Sequence, residues 1–290
     1  MLAFVYPGQG SQKVGMGRDF HDAYETARRT YEEASEVLGL DVATLCFTDD
    51  TQLALTEFTQ PAILATEVAM TRVLRERGIA PACFAGHSLG EYTALVAAGA
   101  LPFDDALRIV RERGRLMQSA VPVGEGGMTA VTSAALDLAA IESAIAGLVV
   151  DVANHNSPEQ VVISGRAGDL RVAESRIDAK LTLLAVSAPF HSRMMQPIEE
   201  PFRVVLGSAS WGDASAVLSN FTGTWHTTDA TDALVRQVSG RVRWVDNMRA
   251  LEGMRVVEVG PTRPLRAFFR AMGVAIDSVT NVTTAERLAI

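Results

Sequence analysis

The chain of 290 residues is short of cysteine, of positive charge and of long apolar runs, and each shortage removes a class of function. Its two cysteines, Cys46 and Cys83, have no CxxC spacing. That leaves no disulfide framework and no thiol metal centre, and both read as buried reduced thiols. The five histidines do not cluster with the cysteines, so no metal site is expected. Lys and Arg number 26 against 34 Asp and Glu, a net charge of -8. A phosphate backbone needs a basic face, so no nucleic-acid partner is expected. No apolar stretch approaches the ~20 residues that cross a bilayer. The start, Met1-Leu2-Ala3-Phe4-Val5-Tyr6-Pro7, lacks the basic region of a signal peptide. The expectation is a cytoplasmic protein with no membrane contact. The glycine-rich stretch Pro7-Gly8-Gln9-Gly10-Ser11-Gln12 lacks Gly-Lys-Ser/Thr and GxGxxG, so it is not a phosphate cradle.

What is present is a large core. Hydrophobic residues make up 48% of the chain and charged residues 21%, which suits one large α/β domain or a large domain with a small one. The segment Gly86-His87-Ser88-Leu89-Gly90 follows the apolar run Ala82-Cys83-Phe84-Ala85 and opens a helical pattern. A G-x-S-x-G at a strand-to-helix turn is a nucleophile elbow. The turn is so tight that side chains two before and two after the serine would clash. The serine is lifted clear of the sheet over the positive end of a helix.

Along the chain, residues 2–6 read as a strand, 20–38 as an amphipathic helix, and Gln60-Pro61 as the start of a helix through about Arg77. Residues 81–85 form the elbow strand and 89–98 the elbow helix. The next helix begins with Asp104 as N-cap. Composition shifts at Pro122-Val123-Gly124-Glu125-Gly126-Gly127, a linker. Beyond it, 128–132, 149–153, 160–164 and 181–186 read as strands, and 136–146 and 168–180 as helices. The order β-α-β-β-α-β is ferredoxin-like and predicts a small domain over 125–188, inserted into a large α/β domain over 1–124 and 189–290. Asn154-His155-Asn156-Ser157-Pro158 reads as the loop between its central strands. A strand is expected near 216–219 and another over 256–259.

A serine hydroxyl needs a base. His87 adjoins Ser88, but neighbouring side chains diverge at an elbow, so it reads as a packed histidine. His191, in Ala188-Pro189-Phe190-His191-Ser192, lies at the return from the small domain, where clefts form. It is the better base, though a lone histidine there is as often structural. No aspartate announces itself to orient it, and a backbone carbonyl can serve. His21, His155 and His226 read as surface or hydrogen-bonding residues. On the helix 104–117, at about 100° per residue, Arg108, Arg111 and Arg115 share one face, while Arg113 falls about 140° from Arg108 among apolar neighbours. A buried guanidinium is costly without an anion. Either an internal carboxylate pairs with it or an anionic ligand does, and a helix leaving the elbow directly favours the ligand.

Taken in order, Gly8-Gln9-Gly10-Ser11-Gln12, Gln60-Pro61-Ala62, Gly86-His87-Ser88-Leu89-Gly90-Glu91-Tyr92, Arg113-Gly114 with Leu116-Met117-Gln118, Asn156-Ser157-Pro158 and Phe190-His191-Ser192 give the chain its family resemblance. It resembles the malonyl-CoA:acyl-carrier-protein transacylases and the acyltransferase domains of polyketide synthases over essentially its whole length. The resemblance implies an α/β-hydrolase-like core with the ferredoxin-like insert, and ping-pong transfer of malonyl from coenzyme A to the phosphopantetheine thiol of an acyl carrier protein, with no bound cofactor. It implies Ser88 as nucleophile, His191 as base, Arg113 for the malonyl carboxylate, and the N–H groups of Gln9 and Leu89 as oxyanion hole. The Gln237 carbonyl would orient His191, Asn156 would lie near the site, and Phe190 would fill the space of an α-methyl group. A monomer is expected. An acyl hydrolase that clears carriers is the alternative. The chain departs from the family at Gly260-Pro261-Thr262-Arg263-Pro264, which lacks a second glycine, and at Gln237-Val238-Ser239-Gly240-Arg241, which replaces the usual Asn/Ser-Pro. An acidic protein that meets an acidic carrier needs a local basic patch. Arg236, Arg241 and Arg243 form one candidate, and Arg263, Arg266 and Arg270 another.

Overall fold

The computed structural model describes residues 1–288. The chain runs through β1 (Leu2–Tyr6), the helices α1 (Arg18–Ala23), α2 (Glu25–Leu38), α3 (Val42–Phe47), α4 (Asp50–Leu53) and α5 (Thr56–Glu76), then β2 (Cys83–Gly86), α6 (Gly90–Ala98) and α7 (Phe103–Ser119). A second group comprises β3 (Gly126–Thr132), α8 (Leu138–Ala144), β4 (Val150–Ser157), β5 (Gln160–Arg166), α9 (Ala167–Arg176) and β6 (Lys180–Leu183). The remainder is α10 (Glu199–Leu206), α11 (Thr231–Gln237), α12 (Trp244–Ala250), β7 (Arg255–Val259), α13 (Leu265–Ala271), β8 (Asp277–Val279) and α14 (Val282–Glu286).

Two four-stranded sheets result, in a mixed α/β fold. The first has the order β2-β1-β7-β8, and every pairing is parallel. Its central strand β1 is almost wholly buried, as a sheet covered on both faces requires. Phe4 and Tyr6 face one apolar cluster, and Ala3 and Val5 the other. Adjacent β1 and β2 end side by side, so the loop after Tyr6 and the turn after Gly86 meet at one sheet edge. The carboxyl ends of parallel strands are where such folds bind ligands.

The second sheet has the order β4-β5-β3-β6 and is antiparallel. One face carries Val131, Val161 and Ile163, packed on Ile141 of α8 and Leu170 and Ala173 of α9. The opposite face, with Met128, Ala130 and Val162, lines a cavity shared with the first sheet's loops. Val150 and Val152 point to the helices, yet Asn154 and Asn156, of the same parity, line the cavity. A register shift between Val152 and Asn154 accounts for the reversal. A bulge adds one residue and re-aims the side chains beyond it.

Several boundaries differ from the sequence reading. The helix expected over 20–38 is broken at Tyr24, which is extended with φ -126° and ψ 126°. Helix α5 starts before Gln60, and Pro61 lies inside it. The Gln118 side chain accepts from the Thr56 N–H at 3.0 Å and caps that start from 62 residues away. Asp104 is not an N-cap: Pro102 holds that position and Asp104 sits in the first turn, where it pairs with Arg108 at i,i+4. Asn156 is in strand β4, not in a loop. Residues 216–219 form isolated bridges, Val217 with Phe84 and Leu218 with Trp225, rather than a strand, and the sequence pattern gives no sign of β8. Both cysteines are buried, and burial pushes the Cys46 thiol up to about 12.

Candidate active site

Glycine makes the turn after β2 possible. A Cβ on Gly86 would lie 1.8 Å from the Gly90 carbonyl carbon, and one on Gly90 would lie 2.2 Å from the Tyr6 carbonyl oxygen. Ser88 at the apex has φ 54° and His191 has φ 57°. They are the only non-glycine residues among those described with positive φ. That backbone region is sparsely populated for side-chain-bearing residues and concentrates at functional sites.

Ser88 Oγ is 2.8 Å from His191 Nε2. On the far side of the ring, His191 Nδ1 is 2.7 Å from the Gln237 carbonyl oxygen. A carbonyl only accepts, so the proton is on Nδ1 and Nε2 is a free acceptor for the serine proton. No acid is needed for this orientation. The His191 backbone N–H is itself tied to the Val238 carbonyl at 3.1 Å, which fixes both ends of the residue. Burial first, and then the nearby Arg113 charge, push the imidazole down to about 3. The ring is therefore neutral at any ordinary pH, the form a base requires.

Arg113 is 1% exposed. Gly114 is why: a Cβ there would lie 2.6 Å from the Thr56 carbonyl oxygen, so α7 can press against the start of α5. Arg113 Nη1 donates to Gln60 Oε1 at 2.8 Å. Nη2 donates to Gln237 Oε1 at 2.8 Å and to Ser88 Oγ at 3.1 Å. The guanidinium lies over the Tyr92 ring, 5.4 Å from its centroid. Nε has no hydrogen-bond partner among the described residues. Of the two partners left open by the sequence, the internal carboxylate is absent: every acceptor on Arg113 is neutral. A buried cation with neutral acceptors, one donor unpaired and one aimed at a serine oxygen is suited to an anionic ligand.

The elbow and the first loop touch. A Cβ on Gly8 would lie 2.3 Å from the His87 carbonyl oxygen and 3.6 Å from the Leu89 nitrogen. The backbone N–H groups of Gln9 and Leu89 donate to none of the described residues. The Gln9 amide donates to Thr56 Oγ1 at 3.2 Å. Asn156 Oδ1 lies 2.8 Å from His87 Nε2 and ties the second sheet to the elbow. The His87 ring packs on Trp244 and Phe268, in keeping with its reading as a packed histidine. Ser88, His191, Arg113, Gln9, Asn156 and Phe190 line one cavity of about 870 Å³. Leu89 and Gln237 are fully buried behind its wall.

Two participants escaped the sequence reading. Gln60 holds Arg113 as described, although nothing in Gln60-Pro61 signals that contact. Asn220 Oδ1 accepts from the Ser88 N–H at 2.6 Å, and its Nδ2 donates to the Gly86 carbonyl at 2.7 Å. It braces the elbow from an irregular segment. His226, read as a surface or hydrogen-bonding residue, is the latter: it is buried, with Nε2 2.7 Å from Glu91 Oε1. Among the described residues no group of His, Cys, Asp and Glu could hold a metal ion, and no helix is long and apolar enough to cross a membrane.

Residues 3–250 match the acyl transferase domain family. The malonyl CoA-acyl carrier protein transacylase of Bacillus subtilis strain 168 is 38% identical, over 96% of this chain and 92% of its own. The Clostridium perfringens structure of that name is 35% identical with a TM-score of 0.93, covering 99% of this chain and 95% of that one. A malonyl-transacylase solved in complex with a type II polyketide synthase acyl-carrier protein is 38% identical with a TM-score of 0.93, covering 98% of this chain and 97% of that one.

Proposed function

The chain belongs to the acyl transferase domain family, and from that premise we propose that it is a malonyl-CoA:acyl-carrier-protein transacylase working through a Ser88 acyl-enzyme. One observation carries the choice of acyl group. Arg113 is buried beside Ser88 with only neutral acceptors, and the planar fork of a guanidinium matches a carboxylate. A neutral acyl group would give this residue no task, so the hydrolase alternative draws no support from the site.

The reaction runs in two halves. His191 Nε2 takes the Ser88 proton as Oγ attacks the malonyl thioester carbonyl. The N–H groups of Gln9 and Leu89 receive the oxyanion, on the order of 3 kcal/mol for each donor. Collapse expels the coenzyme A sulfur, which leaves with the proton from His191. The phosphopantetheine thiol of the carrier then gives its proton to His191 and attacks the ester. Ser88 Oγ departs and recovers that proton. Arg113 Nη2 exchanges the Ser88 oxygen for the malonyl carboxylate during the first half.

The remaining assignments have their own supports. Phe190 is buried in the cavity wall and takes up volume that an α-methyl would need. The element order β3-α8-β4-β5-α9-β6 and the sheet order β4-β5-β3-β6 support a ferredoxin-like small domain over 125–188 within an α/β-hydrolase-like large domain over 1–124 and 189–290. A monomer is the state the family resemblance implies, and no described helix is long and apolar enough to cross a membrane. Of the two basic patches, Arg236, Arg241 and Arg243 lie within 4.0 Å of Asp232, Glu142 and Asp246. Arg263, Arg266 and Arg270 are exposed and form no ion pair among the described residues. Pro264, Leu265 and Phe268, interleaved with them, line the cavity. This second patch is the docking surface for an acidic carrier.

Intact mass after incubation with malonyl-, methylmalonyl- and acetyl-CoA tests the reading. A malonyl adduct, absent in Ser88→Ala, is expected; release of coenzyme A without any adduct would favour hydrolysis. Arg113→Ala should cost malonyl transfer roughly a hundredfold or more, the worth of hydrogen bonds to a charged group, while acetyl transfer persists. Equal loss of both would sink the carboxylate role.

A further inference from the structure

Glu91 is fully buried one turn beyond Ser88 and takes no part in the steps above. Its Oε2 accepts from Gln237 Nε2 at 2.7 Å and from the Asn220 N–H at 3.1 Å, and its Oε1 lies 2.7 Å from His226 Nε2. The Gln237 amide is thereby held between two groups of opposite demand. Glu91 can only accept and Arg113 can only donate, so the NH2 faces Glu91 and the Ser88 carbonyl while Oε1 faces Arg113 Nη2.

We infer that Glu91, steadied by His226, is a positioning residue for the malonyl carboxylate: it fixes the direction of the Gln237 amide, which in turn aims Arg113. The inference rests on the reading that Arg113 receives that carboxylate. A flipped amide would turn its NH2 against Nη2, and two donors face to face would push the guanidinium off its mark. A carboxylate placed directly on Arg113 would steady it too, but would occupy the place of the substrate. Holding the amide from behind leaves that place free. His191 is oriented by the Gln237 backbone carbonyl rather than its side chain, so turning the amide leaves that hydrogen bond of the base in place.

Direction and charge make opposite forecasts. In Glu91→Gln the oxygen still accepts from Gln237 and Asn220, and its NH2 meets His226 Nε2 in the other tautomer. In Glu91→Asp the charge survives but the carboxylate withdraws from the amide by one methylene. The test is the rate of Ser88 acylation by malonyl-CoA and by acetyl-CoA, with melting temperature as the check on folding. Glu91→Gln should keep the ratio of the two KM values within about twofold. Glu91→Asp should raise the malonyl KM about tenfold, a hydrogen bond's worth, and leave acetyl acylation within about twofold. In a Gln237→Met background Glu91→Asp should no longer change the ratio. Should Glu91→Asp fail to fold, His226→Ala, which frees Oε1, should raise the malonyl KM alone. The inference is overturned by a wild-type ratio in the variant that loosens Glu91, by equal losses on both donors, or by Glu91→Gln falling as far as Glu91→Asp. A wild-type enzyme with no preference for malonyl over acetyl would overturn the Arg113 reading as well.

Discussion

At the scale of single residues, the perturbation that bears on the chemistry is that of His191. Burial, then the Arg113 charge, hold its imidazole down to about 3. The free enzyme thus carries a ready base well below the ordinary histidine value of ~6.5. The acidic limb of kcat/KM for Ser88 acylation should accordingly lie below about pH 5. Arg113→Met removes the second cause, so with acetyl-CoA as donor the limb should move toward higher pH. A rapid-mixing profile from about pH 4 to 8 decides it, and a limb at ~6.5 in the wild type would refute the environment described. The same shift acts on folding. Between about 3 and 6.5 the unfolded chain binds the proton that folded His191 refuses, so this group costs stability as the pH falls through that window.

At the scale of elements, the site is built where the loop after β1 meets the turn after β2. Gly8 sets their separation, since its absent Cβ would stand 2.3 Å from the His87 carbonyl oxygen. Gly8→Ala should push the loop outward and carry the Gln9 N–H away from the oxyanion. The loss of one such donor lowers kcat by about a hundredfold or more. KM for malonyl-CoA should change little, because Arg113 lies on α7 and is untouched. Steady-state kinetics separate the two, and a raised KM at unchanged kcat would count against it. The same elements mark what was legible in the sequence. The elbow is encoded in five consecutive residues, and the burial of Arg113 in the period of one helix. The start of α5 was not legible, because its cap is Gln118, far along the chain. Nor was the turn of Asn154 and Asn156 into the cavity, which depends on a bulge in the pairing of β4 with β5. Asn220, and the contact of Gln60 with Arg113, were invisible for the same reason: they are contacts across the fold, and Gln60-Pro61-Ala62 marks a family motif without saying what its glutamine touches.

For the whole molecule, the net charge of -8 opposes an acidic partner, so the approach of the carrier depends on local field. On the docking proposed above, Arg263, Arg266 and Arg270, exposed among the cavity-lining Pro264, Leu265 and Phe268, would supply that field. Reversing two of them, Arg266→Glu with Arg270→Glu, should slow transfer to the carrier about tenfold at low salt. The deficit should shrink as salt rises, since exposed charges are screened. Acylation by malonyl-CoA should keep its rate, and equal slowing of both half-reactions would remove the patch from the docking role. The two left-handed residues bear on the molecule as a whole in another way. Ser88 and His191 each hold a backbone that an L-residue adopts at a cost of about 1–3 kcal/mol, a sizeable share of a folded domain's margin. Glycine at either place would relax that cost and leave no catalyst. A library of this chain screened only for heat resistance would therefore enrich dead proteins at these two positions, so thermostabilisation has to be selected together with turnover.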